Sequence, residues 1–298
     1  MDHSQPRDLP STFRTLYTLA LDDTTALLGG VDEPRGPDAV SAFRAAIVRS
    51  DAAGVRQVLD ADGTGVLSLC RGGTRLFALL KRPPTPDDMG ESRLLTSDDS
   101  GGSWRDRGRI PIKSGLAVAA PDADEVFVLG IAELVRSGDH GASWSHLSVP
   151  GNDLMDVRIA VANQHLTILG SAIDATGDGG RTWSHTDIQA SRVHAVDGWG
   201  VLASIDGKVK LGHMQAGGPA WGTTFSDPVM PYRLVIDDQH VRFLATERGG
   251  TVVLFESTDG GASWKRTTLP SLPEEGAADL GPRGWFAVND KHRLLAMR

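Results

Sequence analysis

Ser257-Thr258-Asp259-Gly260-Gly261-Ala262-Ser263-Trp264 is the stretch that decides the fold, because the same eight-residue pattern occurs three more times in the chain. Its form is (Ser/Thr)-x-Asp-x-Gly-x-(Ser/Thr)-Trp. The other clear copies lie at Ser97-Trp104, Ser137-Trp144 and Thr176-Trp183. The four tryptophans follow one another at steps of 40, 39 and 81 residues, so the last step spans two periods.

Two weaker copies extend this repeat. Trp221, after Gly217-Gly218-Pro219-Ala220, falls inside the double period, and Ser50-Asp51-Ala52-Ala53-Gly54 lies where an earlier copy is expected. A fixed period near 40 residues with one turn motif per period is the sequence signature of a β-propeller, with one four-stranded blade per repeat. The sequence therefore predicts an all-β propeller of antiparallel blades.

The residue types of the motif suit a turn between two strands. The aspartate can accept hydrogen bonds from nearby backbone N–H groups, the glycine can take a positive φ, and the hydroxyls can satisfy the remaining polar groups. The tryptophan can bury its ring as a wedge between neighbouring blades. We therefore interpret one set of residues as structural rather than catalytic or calcium-binding: Asp99, Trp104, Asp139, Trp144, Asp178, Trp183, Asp259 and Trp264.

The strand pattern predicts the number of blades. Residues 1-10 are polar and are expected to be flexible, and residues 11-298 are expected to form a single domain. Residues 276-298 supply only three strands, so an N-terminal strand around Phe13-Tyr17 is predicted to complete the last blade and close the ring. The count is then seven blades, or six if residues 24-60 form an incomplete blade.

Composition excludes several functional classes. The net charge of -8 and the pI near 5.6 argue against a nucleic-acid or anionic-membrane surface. The single cysteine, Cys70, excludes an internal disulfide framework and is expected to be a buried, unreactive side chain. The N-terminus has no basic and apolar leader pattern, so we expect a cytoplasmic location. We also expect a monomer without a cofactor or a bound metal.

One chemical pattern lies on the face opposite the turn motifs, around the predicted channel mouth. Arg158, Arg192 and Arg233 each begin a predicted inner strand, at equivalent positions in three consecutive repeats. Three guanidinium groups there would bind a carboxylate, phosphate or sulfate group, with His194 and Asp156 as further ligand-binding candidates. The alternative interpretation is that these arginines pair with nearby carboxylates and form a solvated rim; the candidates are Asp156, Asp187 and Asp227.

Other candidates are weaker. Tyr232 and Glu247 are the possible catalytic residues, although a rim or core role also fits them. The nine histidines show no metal-binding spacing. The loops Asp32-Asp38 and Lys81-Ser92 are long enough to contact a partner.

At the four motif copies the sequence resembles the Asp-box (BNR repeat) propellers, and its period is also WD40/YVTN-like. That superfamily includes sialidases, xyloglucan-active hydrolases, sortilin-type receptors and photosystem II assembly-factor propellers. A sialidase would imply an arginine triad, a Tyr/Glu nucleophile pair and an acid Asp. However, Arg109-Ile110-Pro111 follows the first clear box, whereas the sialidase Arg-Ile-Pro signature precedes it.

The compact repeats look more similar to the seven-bladed, non-enzymatic assembly-factor type. We therefore expect a binding or assembly scaffold that recognises a protein partner or an anionic ligand at the channel-mouth face. The alternative is a sialidase-like or other glycoside hydrolase that acts on an anionic glycan.

Overall fold

The computed structural model contains seven four-stranded antiparallel sheets, and this confirms the prediction of a seven-bladed β-propeller. No helix occurs among the residues that the structure describes, and so none of them belongs to a helix that could span a membrane. The described residues are 7–33, 43–63, 65–82, 90–149, 158–162, 165–169, 172–188, 190, 192–197, 200–215, 218–225, 229–237, 239–247, 250–269, 278–280, 285–288 and 293–297.

The chain divides into two compact units, and the first comprises Met1–Leu147 with Leu272–Arg298. It contains four blades, each with its strands ordered from inner to outer. Blade 1 is β2 (Phe13–Ala20), β3 (Ala26–Asp32), β4 (Arg44–Asp51) and β5 (Gly54–Asp62); blade 2 is β6 (Gly65–Gly72), β7 (Arg75–Lys81), β8 (Ser92–Ser97) and β9 (Arg105–Arg109); blade 3 is β10 (Gly115–Ala119), β11 (Val126–Gly130), β12 (Glu133–Ser137) and β13 (Ser145–Leu147); blade 7 is β26 (Ala278–Leu280), β27 (Trp285–Val288), β28 (Arg293–Met297) and β1 (Arg7–Asp8).

The second unit, Ser148–Ser271, contains three blades. Blade 4 is β14 (Arg158–Ala162), β15 (His165–Leu169), β16 (Ala172–Thr176) and β17 (Ser184–Asp187); blade 5 is β18 (Arg192–Asp197), β19 (Gly200–Ile205), β20 (Lys208–Gln215) and β21 (Gly218–Phe225); blade 6 is β22 (Val229–Asp237), β23 (His240–Glu247), β24 (Val252–Ser257) and β25 (Lys265–Thr268). Within each unit the first strands of successive blades are neighbours, which identifies them as the inner strands.

The N-terminal strand completes the last blade, but it is not the strand that the sequence indicated. Arg7 and Asp8 pair with Leu294 and Arg293, and the Asp8 carboxylate lies 3.0 Å from the Arg293 guanidinium. Phe13–Ala20 is instead the inner strand of blade 1, where Phe13 is 2% exposed. Phe13–Ala20 is amphipathic, and its apolar face is buried at the inner position. Arg7 and Asp8 are both charged and suit the solvent-exposed outer edge of blade 7. This pair lies within the ten residues that were expected to be flexible.

Apolar clusters between neighbouring blades form the core of each unit. Trp104 packs on the cluster shared by blades 1 and 2, Trp144 on that of blades 2 and 3, and Trp264 on that of blades 5 and 6. Trp264 meets the rings of Phe225 and Phe243 edge to face at 5.2 and 5.3 Å. These three tryptophans therefore occupy the predicted wedge positions.

The weakened copy of the motif is placed differently. Trp221 lies inside β21 rather than at its start, yet it packs on the apolar cluster shared by blades 4 and 5. The tryptophan thus keeps its packing role after the turn residues before it have changed.

Each clear motif forms the turn between the third and fourth strands of its blade. In blade 2, Asp99 Oδ1 accepts hydrogen bonds from Ser97 Oγ at 2.8 Å and from the Ser103 amide at 2.9 Å, and its Oδ2 accepts one from Ser103 Oγ at 2.7 Å. This amide lies four residues after the aspartate, whereas in a simple Asx turn the side chain accepts a hydrogen bond from the amide two residues on. The same three bonds recur in the other three copies.

These hydrogen bonds stabilise the ionised carboxylates. Bonds from the serine amide and hydroxyl lower the pKa of Asp99, Asp139 and Asp259 to about 2, and bonds from Thr182 lower the pKa of Asp178 as well. Both oxygens of each carboxylate are therefore used inside the turn.

Candidate functional site at the inner strands of blades 5 and 6

A β-bulge recurs near the start of the inner strands. The pairing register between the first and second strands shifts by one residue in five blades, at Leu16, Leu67, Leu116, His194 and Tyr232. A bulge inserts an unpaired residue and redirects its side chain. Blades 1 to 3 place leucine there, whereas blades 5 and 6 place the polar residues His194 and Tyr232. The polar bulges define the candidate site.

The bulges correct the predicted set of equivalent arginines. Arg233 directly follows its bulge residue, and the residue at that position in blade 5 is Ala195. Arg192 lies three residues before Ala195 and pairs with Ser204. It is therefore not at the position along its strand that Arg233 occupies in blade 6. The prediction was wrong for Arg192: it lies two residues before the bulge residue of its strand, whereas Arg233 lies one residue after its own. The connections between blades differ in length, so a residue count near one repeat does not fix the position along the strand.

Arg158 and Arg233, in contrast, lie at equivalent positions along their inner strands. Arg158 pairs with Leu169, which pairs with Ile173, three residues before the motif of blade 4. Arg233 pairs with Leu244, whose partner on the third strand likewise precedes the motif of blade 6 by three residues. Asp156 lies outside the described residues.

The described side chains of the site differ in exposure. Arg192 is exposed and forms no ion pair within the described part of the chain, whereas Arg233 is half-buried. His194 is 9% exposed, and its Nε2 lies 2.7 Å from Ser204 Oγ, across from Arg192 on β19. Met230, near the start of β22, is 47% exposed. Two cationic side chains and an exposed thioether therefore lie on neighbouring inner strands.

The pairing interpretation of the arginines finds no support at Arg192. Asp187, one of the proposed carboxylate partners, lies 3.5 Å from His185 Nε2. Asp156 and Asp227 lie outside the described residues. Among the carboxylates that the structure describes, none is paired with Arg192.

The carboxylate of Glu247 forms an ion pair with Arg266. Its two carboxylate oxygens accept hydrogen bonds from Arg266 on the outer strand β25, each at 2.7 Å from Nη2. Glu247 pairs with Val229, three residues before Tyr232. At about 3.3 Å per residue this places the Glu247 and Tyr232 backbones roughly 10 Å apart along the strand. The geometry therefore commits the Glu247 carboxylate to Arg266.

The remaining sequence candidates lie elsewhere. Cys70 packs, half-buried, beside the cluster between blades 2 and 3, and burial raises the pKa of its thiol. No group of three His, Cys, Asp or Glu side chains arranged for a metal ion occurs among the described residues. The two long loops lie largely outside those residues.

Sequence reasoning missed a buried acid in blade 4. Asp174 is 7% exposed and lies 2.7 Å from His185 Nδ1 on the next strand. The residue two before the motif is apolar in the other three clear repeats, namely Leu95, Val135 and Phe255. Hydrogen bonding to Asp174 raises the pKa of His185. Aligning the repeats on the motif could have found this exception.

Comparison with known proteins supports the architecture alone. The fold is similar to the β-propeller domain of the Trilobed protease from Pyrococcus furiosus, which is described as having an open velcro topology. The TM-score is 0.55 with 10% sequence identity over 86% of each chain. No protein-family model matches the sequence. A search of curated proteins finds no significant match.

Proposed function

We propose that this protein is a non-catalytic binding propeller that recognises an anionic group at the inner strands of blades 5 and 6. The observation that carries the proposal is Arg192, an exposed guanidinium with no ion pair in the described ranges, on the strand next to the one that bears Arg233. Arginine binds carboxylate, phosphate and sulfate groups through parallel hydrogen bonds. An anion held there would complete the hydrogen bonding of Arg192.

Binding is favoured over hydrolysis by the state of the acid candidate. A glycoside hydrolase needs two carboxyl groups about 5 to 9 Å apart across the bond that breaks. Glu247 is held by a bidentate ion pair with Arg266 and is turned toward the outer edge of the blade. The resemblance to assembly-factor propellers also favours a scaffold over a sialidase.

A thermal-shift screen tests the proposal. The wild type is compared with Arg192→Ala/Arg233→Ala in the presence of N-acetylneuraminate, glucuronate, a sulfated sugar or inorganic phosphate. Ligand at a hundredfold excess over Kd stabilises the native state by about 2.7 kcal/mol, which is several degrees in Tm for a chain of this size. The matched control is Arg105→Ala, since Arg105 is an exposed arginine on the outer strand of blade 2.

We expect at least one of these anions to raise the Tm of the wild type and of Arg105→Ala but not that of the double variant. A shift that survives in the double variant, or no shift with any of the four, would reject the inner-strand site. Turnover of the matching aryl glycoside by the wild type would reject the non-catalytic assignment.

A further inference from the structure

The hairpin between β11 and β12 breaks a rule of turn chemistry. Gly130 pairs with Glu133, so Ile131 and Ala132 form a two-residue turn, and Ala132 has a φ of 55°. Turns of this length favour Asn-Gly or Asp-Gly because those residues tolerate a positive φ. Blade 5 follows the rule at the same place, with Asp206 and Gly207 at φ values of 52° and 72°.

The positive φ of Ala132 costs conformational free energy, and the turn that it forms exposes the side chain of Ile131. A residue with a Cβ held in the left-handed region costs roughly 1–2 kcal/mol relative to its preferred conformation. In return, the turn presents Ile131, whose surface is 43% exposed. Positions at which a protein departs from local sequence rules are expected to be functional or strained sites.

A second exposed aliphatic side chain lies at the same end of blade 3. Leu116, the bulge residue of β10, is 48% exposed. Gly115 pairs with Gly130, and the Ser114 carbonyl accepts a hydrogen bond from the Ile131 amide at 3.1 Å, so the two side chains project from adjoining backbone. We call Leu116, Ile131 and Lys113 the blade 3 patch.

Positive charge surrounds the blade 3 patch. Lys113 is exposed, Lys81 Nζ lies 3.1 Å from Ser114 Oγ, and Arg82 directly follows Lys81 at this end of blade 2. The neighbouring carboxylate of Glu133 accepts a hydrogen bond from the Lys113 amide at 3.3 Å.

Another acid at the same end, Glu91, is paired with Arg93 at 2.7 Å. Among the described residues at this end, the cations Lys81, Arg82, Arg93 and Lys113 outnumber the carboxylates Glu91, Asp106 and Glu133, in a protein whose net charge is -8. At physiological salt the Debye length is about 8 Å, so an acidic group at the patch interacts mainly with these nearby charges and little with the rest of the protein.

We propose that the blade 3 patch is the docking point for an acidic segment of a partner protein that inserts an aliphatic or aromatic side chain between Leu116 and Ile131. The apolar pair supplies the anchor, and Lys81, Arg82 and Lys113 select acidic flanking residues. A contact of this small area suits transient recognition. The surface lies in the first unit and goes beyond the anion site proposed in blades 5 and 6.

A peptide-display selection against the full chain tests this surface. Random 12-residue peptides are selected on the wild type, and the enriched peptides are synthesised for fluorescence anisotropy. We expect Asp- and Glu-rich peptides around one large apolar residue. Ile131→Asn/Ala132→Gly should weaken their binding at least tenfold while its Tm equals or exceeds that of the wild type, because the new turn relieves strain. Lys113→Glu should weaken binding several-fold and reduce its dependence on salt.

Two matched controls keep the test specific. Asp206→Asn changes the corresponding turn of blade 5, and Arg192→Ala/Arg233→Ala removes the proposed anion site; both should bind the peptides as the wild type does. Peptides without acidic residues, or equal binding by the turn variant, would overturn the proposal. A wild-type dimer in sedimentation that dissociates in the turn variant would assign the patch to a second copy and also overturn it.

Discussion

Removing the carboxylate of Asp139 should destabilise the protein by a predictable amount. Asp139 accepts hydrogen bonds from Ser137 Oγ at 2.7 Å, from the Ser143 amide at 2.8 Å and from Ser143 Oγ at 2.6 Å. Ser137 is 1% exposed, whereas Asp139 is half-buried. Asp139→Ala deletes all three bonds, and Asp139→Asn keeps the shape and one acceptor but removes the charge.

The magnitude follows from the number and type of these bonds. Hydrogen bonds contribute about 1 kcal/mol each, or more to a charged acceptor, and competition with water reduces the gain at a half-buried site, so Asp139→Ala should cost about 2–3 kcal/mol. The fall of the Asp139 pKa from 3.8 to about 2 corresponds at most to about 2.4 kcal/mol. After discounting for solvent screening, the charge itself is worth about 1 kcal/mol, which is the expected cost of Asp139→Asn.

The sign of the pH dependence is fixed by the lowered pKa. Because the folded-state pKa of Asp139 lies below its unfolded value, the folded state favours the ionised carboxylate. The contribution is therefore present above about pH 4 and is lost as the pH falls through about 2. Urea unfolding followed by tryptophan fluorescence at pH 7, 4 and 2.5 measures it. The difference between wild type and Asp139→Asn should narrow with acid.

The control is Asp206→Asn, since the Asp206 carboxylate is 90% exposed and lies 3.9 Å from Lys210. It should change stability by less than about 0.5 kcal/mol at every pH. The reasoning would be refuted by an Asp139→Ala variant that unfolds at the urea concentration of the wild type. A constant gap between wild type and Asp139→Asn down to pH 2.5 would count equally against it.

Three further variants test other parts of the structure. Gly141→Ala should lower stability by about 2–3 kcal/mol, because φ is 94° and a Cβ would lie 2.5 Å from a leucine methyl; an unchanged urea midpoint would contradict this. His185→Gln should destabilise more at pH 6 than at pH 9, since the raised His185 pKa makes its pairing with Asp174 fade as the pH rises through it; equal shifts of the urea midpoint at both pH values would argue otherwise. Asp279→Ala should cost about 1–3 kcal/mol and speed hydrogen exchange at the Ala20 amide, which loses a 2.8 Å acceptor; unchanged exchange would exclude that role.

The architecture was predictable from one motif because its residues act locally. The hydroxyl, carboxylate and glycine of each copy satisfy one another within eight residues, so the turn and its period can be read without knowledge of the rest of the chain. The closing strand could not be identified in this way. Arg7–Asp8 is too short to show periodicity, and it forms a strand only because β28 offers an open edge.

The candidate site was only partly predictable for a related reason. The arginines were recognisable by type, but whether two of them are equivalent depends on their positions relative to the bulges at His194 and Tyr232, and neither bulge has a sequence signature. The pairing of Glu247 with Arg266 depends on strands that are adjacent only in the folded blade. Ile131 and Ala132 are unusual residues for a two-residue turn, but this could be recognised only after the structure gave the length of the hairpin.

The pairing of β1 with β28 determines when the molecule can be finished during synthesis. Arg7 is synthesised long before its partner Leu294, so blade 7 cannot be completed until the strands that lie between them in the sequence have been made. Joining such distant residues costs about 2 kcal/mol more loop-closure entropy than joining residues one repeat apart. Earlier blades can fold vectorially as they emerge, whereas the edge of β28 stays unpaired until the N-terminal residues return. During that interval the open edge of β28 can pair with the wrong strand, so misassembly is favoured then.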